Sequence, residues 1–268
     1  MLNRQITVAA SFFASFFACV LSLTAKPLVV AHRGASRDAP GNTLPAFELA
    51  WEQGADAIEG DFLLTKDGQI VCIHDKSTER LAVRKLIVKE STLGQLQELD
   101  VGLGKGKKFK GAKIPTIAEV FATIPAGKKI FIEIKCGKEI IPPLLEAIKK
   151  SELKDEQVTM ICFNAEVVRT FKTKASRHKV YWLSQFKRNK EGNWSPSIET
   201  VLQTLNSTKA DGLDSHHSIP EEMAKRIQQE GFEWHAWTVN DLGTAKRLKE
   251  LGVKSITTDV PGYLKKGL

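Results

Sequence analysis

Residues 28–61 read LVVAHRGASRDAPGNTLPAFELAWEQGADAIEGD, and this stretch decides the fold. It opens on the β-rich run Leu28 to His32 and passes through a segment that Asn42-Thr43 opens and Gly54 closes. It then returns to a second β-rich run, Ala57 to Asp61. A strand, a crossover helix and a second strand make one parallel βαβ unit. Both strands end on ionisable residues, His32-Arg33 on one and Glu59-Gly60-Asp61 on the other. Reactive groups therefore collect at the carboxyl end of the unit.

The same alternation continues outward. Further strands are expected at Lys129 to Lys135, Val158 to Phe163, Val180 to Ser184, Ala210 to Asp214, Glu233 to Val239 and Ser255 to Asp259, which makes eight with the first two. Helix signals lie between them: Asn164 opens Ala165 to Lys174, Ser218 and Glu221 form a capping box with Gly231 behind, and Asn240 opens a helix stopped by Gly252. Eight such units in a chain of 268 residues predict an α/β protein of the TIM (β/α)8 barrel class. An open doubly wound sheet is the runner-up, weakened because no glycine-rich nucleotide loop follows the first strand.

Two departures from regular alternation bear on the chemistry. No crossover helix fits between Asp61 and His74, and Thr65-Lys66-Asp67-Gly68 is a hairpin signal. With Asp67-Gly68 as a two-residue turn, Lys66 pairs with Gln69 and Asp61 stands opposite His74, so a carboxylate and an imidazole meet by register. The stretch from Asp75 to Lys113 then runs long and carries the lysines Lys105, Lys107, Lys108, Lys110 and Lys113. It reads as a small insertion near the second strand, leaving from the His74 end of the hairpin and placed to cap a site there.

Composition sets the class. Hydrophobic residues make up 42% and charged residues 26%, the balance of a globular protein with a sizeable core. Residues 1–25 differ: Arg4 precedes an apolar run from Ile6 to Leu23 interrupted by small residues, which reads as a signal peptide cut after Ala25. Export to the periplasm or medium is the expectation, with no stable membrane span after cleavage; a retained anchor and lipidation at Cys19 are the alternatives. The formal charge of +8 favours anionic ligands. The lysines are not interleaved with aromatics as on a nucleic-acid stacking surface, so nucleic acid is not expected as a partner. Cys72, Cys136 and Cys162 have neither disulfide-framework nor zinc spacing and read as buried thiols.

Strand side chains alternate with period two, so Glu59 and Asp61 share a face, as do Glu133 and Lys135. Carboxylates converging on a barrel rim repel one another unless a cation joins them, and a hard divalent ion such as Mg²⁺ or Ca²⁺ suits oxygen donors better than zinc does. Each residue also has a structural explanation when taken singly: a loop salt bridge for Glu59 and Asp61, a cap or packing role for His32, an ordinary ion pair for Glu133 and Lys135. Their coincidence at one rim favours a site.

In order and spacing, His32-Arg33-Gly34, Pro40-Gly41-Asn42-Thr43, Glu59-Gly60-Asp61, His74-Asp75, Ile114-Pro115-Thr116 with Glu119-Val120, Glu133-Ile134-Lys135, Trp237-Thr238-Val239-Asn240 and Thr258-Asp259-Val260-Pro261 resemble the motifs of the glycerophosphodiester phosphodiesterases. The resemblance spans Val29 to Pro261. It implies a phospholipase-C-like barrel that hydrolyses glycerophosphodiesters to glycerol 3-phosphate and an alcohol. By the same resemblance Glu59, Asp61 and Glu133 are metal ligands, His32 and His74 the acid–base pair, Arg33 and Lys135 the phosphate holders, and Phe163 and Trp237 pocket walls. Two positions depart from the family pattern: Gly41 stands where it usually has glutamate, and Cys162 precedes Phe163 where it has serine. The alternatives are a lysophospholipase D-type activity on lysophospholipids and a catalytically silent phosphate-binding protein on the same fold.

Overall fold

The computed structural model describes residues 26–268, and the export segment expected over residues 1–25 lies outside them. The strands are β1 (Leu28–His32), β2 (Ala57–Leu64), β3 (Ile70–Cys72), β4 (Lys129–Ile134), β5 (Val158–Cys162), β6 (Lys179–Ser184), β7 (Lys187–Arg188), β8 (Trp194–Ser195), β9 (Gly212–His216), β10 (Glu233–Trp237) and β11 (Ser255–Thr258). Eight of them run parallel in the order β1-β2-β4-β5-β6-β9-β10-β11, and β11 pairs back onto β1. The sheet thus closes into the expected barrel. The short β7 and β8 form a separate hairpin on the way to β9.

Alternation along the strands sorts the core into an inside and an outside. Ala57, Val30, Phe131, Ile161, Tyr181 and Leu183 fill the barrel interior. Ile58 and Phe62, the intervening residues of β2, face outward into the layer shared with Phe47 and Ala50. Those two belong to α1 (Leu44–Glu52), the first of the helices that wrap the barrel. Glu59 and Glu133 each lie two residues beyond an interior apolar side chain, Ala57 and Phe131. The interior therefore changes from apolar to ionisable towards the carboxyl mouth.

Helix ends follow the sequence in part. Gly54, Gly231 and Gly252 take φ of +82°, +86° and +84° just past helix ends, where a side chain would be strained. Asn164 caps α5 (Ala165–Lys174), accepting from the Glu166 and Val167 N–H groups. Thr43 of the expected Asn42-Thr43 opener holds the N-cap position of α1. Two other signals resolve differently. Asp241, not Asn240, holds that position in the helix Leu242–Glu250. The helix Glu221–Gln229 starts behind Pro220 without a side-chain cap, because the Ser218 hydroxyl pairs with His216 Nδ1 instead.

The hairpin also differs from the expected register. Its loop has three residues, Lys66-Asp67-Gly68, between paired Thr65 and Gln69. Thr65 Oγ1 accepts the Gln69 N–H at 2.9 Å, and Gly68 closes the loop at φ +77°. One extra loop residue shifts every pair by one: Phe62 faces Cys72, Leu63 faces Val71, and the Ile73 N–H donates to the Asp61 carbonyl at 2.8 Å. Asp61 therefore opposes Ile73, and His74 lies beyond the ladder on the outgoing chain. Inward-facing Leu63, Val71 and Ile73 then meet Val88, Leu96, Leu99 and Val101 of the long stretch after the hairpin, which packs on the barrel through this cluster. No helix among the described residues is long and apolar enough to cross a membrane.

Candidate active site

The carboxyl mouth holds a cavity of about 210 Å³ lined by His32, Arg33, Glu59, His74, Glu133, Lys135, Phe163 and Trp237, all singled out in the sequence. The ninth, Asp61, is buried beside it: ligand oxygens of Glu59, Asp61 and Glu133 lie within 4.8 Å of one another. Phe163 and Trp237 meet edge to face at 5.8 Å on the rim. A second hollow of about 520 Å³ adjoins under the insertion, sharing His32, Arg33 and His74 and reaching Gly41, Arg80 and Lys105. The two imidazoles thus stand between an inner and an outer compartment.

Each histidine is oriented by a carboxylate. His32 Nδ1 lies 2.7 Å from Asp259 Oδ1, and Asp259 is held in turn by Ser36 Oγ at 2.9 Å and Asn240 Nδ2 at 2.7 Å. Burial alone would raise the Asp259 carboxyl, but His32, Asn240 and Ser36 outweigh it and hold it well below the usual carboxylate range. His74 Nδ1 lies 2.7 Å from Asp75 Oδ1, and Arg80 grips Asp75 with Nε at 2.6 Å and Nη2 at 2.8 Å. The Arg80 fork is the main cause that brings Asp75 down to about 2. With Nδ1 engaged on both rings, Nε2 is the atom left to face a substrate. Burial lowers His74, Arg33 and Lys135 add to that, and Asp61 and Asp75 only partly oppose it.

The local backbone explains how Arg33 serves two carboxylates. It sits at φ +57° ahead of Gly34 at φ +78°, a turn that aims its N–H at Glu59 Oε2, 3.0 Å away. Its Nε lies 3.0 Å from Asp61 Oδ2 as an ion pair, without the alignment of a hydrogen bond. Gly34 has no room for a side chain, since a Cβ would come within 2.5 Å of the Ala46 backbone. Asn42, also left-handed at φ +62°, donates to Asp61 Oδ2 at 2.8 Å and accepts the Asp61 N–H at 3.2 Å. Lys135 Nζ bonds Glu133 Oε1 at 2.6 Å and lies 3.5 Å from Asp61 Oδ1.

The donor set fits a divalent cation. Three carboxylates face two cationic side chains, and Glu59 Oε1 and Asp61 Oδ1 are buried with no hydrogen-bond partner among the described residues. Burial raises Glu59 well above the carboxylate range, reinforced by the charges of Asp61 and Glu133. Glu133 is pushed up to about 7, first by burial, then by Asp61, with Lys135 pulling back. Asp61 alone is lowered, because Arg33, Lys135 and the Asn42 amide together outweigh its burial. All-oxygen donors suit Mg²⁺ or Ca²⁺. Gly41 lines the outer hollow, where a Cβ would sit 3.2 Å from Arg33 Cβ.

Several working residues escaped the sequence reading. Asn42 and Asn240 stand before helices, yet their amides bind Asp61 and Asp259. Asp259 ends a strand run and Asp75 adjoins His74, so position is a usable signal for these two; Arg80 lies inside the insertion, where no pattern marks it. Cys72 and Cys162 are buried and Cys136 half-buried; burial lifts Cys136 to about 11 and Cys162 to about 12, as inert thiols require.

Comparison with known proteins places the chain in a family. A glycerophosphodiester phosphodiesterase of Caldanaerobacter subterraneus is 36% identical over 246 residues, covering 89% of this chain and 96% of that one. A phosphodiesterase of Oleispira antarctica, solved with the product sn-glycerol-3-phosphate, superposes with a TM-score of 0.81 at 26% identity over 90% of this chain and 96% of its own. A glycerophosphodiester phosphodiesterase of Thermotoga maritima gives a TM-score of 0.72 at 27% identity, over 90% and 97%. Residues 32–263 match the Glycerophosphoryl diester phosphodiesterase family, and the chain belongs to that family.

Proposed function

We propose that the protein hydrolyses glycerophosphodiesters to glycerol 3-phosphate and an alcohol, with a divalent cation held by Glu59, Asp61 and Glu133. The observation that carries this reading is the pairing of two imidazoles, each fixed at Nδ1 by a carboxylate, at one cavity with that ligand set. A phosphodiester resists attack because its anionic oxygens repel nucleophiles and its leaving alkoxide is strongly basic. The bound cation would neutralise charge on the phosphoryl oxygens. Arg33 and Lys135 share that task and orient the phosphate.

His74, kept neutral by burial, takes the proton of the attacking hydroxyl or water. His32, beside an anionic Asp259, gives a proton to the departing alcohol. Imidazole suits both roles because its unperturbed pKa of about 6.5 makes either state accessible near neutrality. The outer hollow receives the variable alcohol. Residues 1–25 support export of the mature enzyme, which fractionation of producing cells checks directly.

The decisive assay uses protein stripped with a chelator, then supplied with Mg²⁺, Ca²⁺ or Mn²⁺ and glycerophosphocholine, glycerophosphoethanolamine or glycerophosphoglycerol. Release of glycerol 3-phosphate only in the metal-supplied reactions is expected. No release under any of these conditions refutes the reading.

A further inference from the structure

Asp214 lies in the middle of β9, in register with Leu183 of β6 and His235 of β10. It lines the inner cavity with His32, Glu133 and Trp237. It is 1% exposed, and its Oδ1 has no hydrogen-bond partner among the described residues. Arg33 and Lys135, the cations of the site, are engaged with Asp61 and Glu133. Leaving a buried carboxyl without a hydrogen bond is destabilising, and one that lines a cavity is placed to bond a group bound there.

Its place in the barrel says where that partner comes from. β2 and β9 are four strands apart in either direction round the sheet, so Asp214 faces the Glu59 and Asp61 wall across the mouth. Between Arg33 and Lys135 and β9 the cavity is walled by the apolar side chains Ile161, Leu183, Phe163 and Trp237, which leaves room for the carbons of a phosphate ester.

We propose that Asp214 recognises the free terminal hydroxyl of the glycerol moiety, the one farthest from phosphorus. This rests on the activity proposed above and assigns its specificity for a deacylated glycerol. A hydroxyl both donates and accepts, so it satisfies the carboxyl in either protonation state. An acylated oxygen cannot donate and brings a chain into a cavity of about 210 Å³, so lysophospholipids are rejected at this residue. An ammonium-bearing alcohol belongs instead in the outer hollow of about 520 Å³.

The test compares wild type, Asp214→Leu and Asp214→Asn on two phosphocholine diesters, one of glycerol and one of propane-1,2-diol, which lacks the terminal hydroxyl. Wild type should prefer the glycerol diester in kcat/KM by about 10- to 100-fold, the range of a hydrogen bond to a charged group. Asp214→Leu should lose that preference through the glycerol diester alone and melt no lower than wild type; Asp214→Asn should keep part of it. A preference that survives in Asp214→Leu overturns the assignment, as does an equal fall on both diesters. So does a changed ratio of glycerophosphoethanolamine to glycerophosphocholine in Asp214→Leu, which would place an ammonium on Asp214. Wild type that turns over neither diester sinks the activity and this assignment with it; turnover without the preference sinks only the assignment.

Discussion

At the scale of single residues, the proposed proton transfer falls to His32 and His74, whose Nδ1 atoms are held by Asp259 and Asp75. His32→Ala should lower kcat by about 10²- to 10⁴-fold, as loss of a positioned acid or base does, with folding intact. Asp259→Asn should also lower kcat, by roughly 10²-fold or more, with KM little changed, because an amide in place of the carboxylate no longer stabilises the imidazolium from which His32 would donate at Nε2. Steady-state kinetics with circular dichroism on the same samples separate these effects from misfolding. Glu133 supplies a pH prediction. Its folded value of about 7 lies above its ordinary 4.5, so the folded metal-free protein binds this proton more tightly than the unfolded chain does. The resulting destabilisation is absent below 4.5, grows as pH rises, and is complete above 7. Chelated protein should therefore gain stability as pH falls through that window, while the cation, competing with the proton, stabilises more as pH rises. Melting curves of chelated and metal-supplied protein between pH 4.5 and 8 should diverge with rising pH; parallel curves would contradict the shared-cation account.

At the scale of elements, the turn after β1 joins fold and chemistry. Gly34 lets α1 approach so closely that Ala35 N–H bonds the Ala46 carbonyl at 2.8 Å. Gly34→Ala meets both a left-handed backbone and a clash at 2.5 Å, whereas Gly54→Ala at φ +82° meets only the backbone term, with nothing within 4 Å. The second should cost about 1–2 kcal/mol, and the first clearly more, with loss of activity as Arg33 shifts; calorimetry and turnover of the two variants check the order. The strand–helix alternation was legible, and strand ends and chain order place His32, Arg33, Glu59, Asp61, His74, Glu133 and Lys135 at one rim, whereas Phe163 and Trp237 follow only from the family resemblance. The hairpin register was not legible. Asp67-Gly68 is equally compatible with a two- or three-residue loop, and the choice rests on the Thr65 hydroxyl bonding the Gln69 N–H, a contact no spacing rule carries. The tertiary bonds of Asn42 and Asn240 are hidden for a related reason: asparagine before a helix can cap it or reach across the fold, and only tertiary structure supplies Asp61 and Asp259 as partners.

At the scale of the molecule, basic charge and a closed barrel act together. The sequence carries a formal charge of +8 and the proposed substrate is an anion, so kcat/KM should fall with added sodium chloride while kcat stays nearly constant, as steering requires. A salt-independent kcat/KM would show that the lysines are only solvated surface. The (β/α)8 class was readable from eight recurring units, whereas closure itself, with β1 between β2 and β11, depends on pairing between the two ends of the described chain. That closure has a practical outcome. β1 begins at Leu28 on the face opposite the mouth, so any handle joined ahead of Lys26, whether an affinity tag or a link to a solid support, leaves from the barrel floor. An enzyme immobilised through that end presents its opening to the solution, and should retain full access to dissolved substrates where random coupling through surface lysines would not.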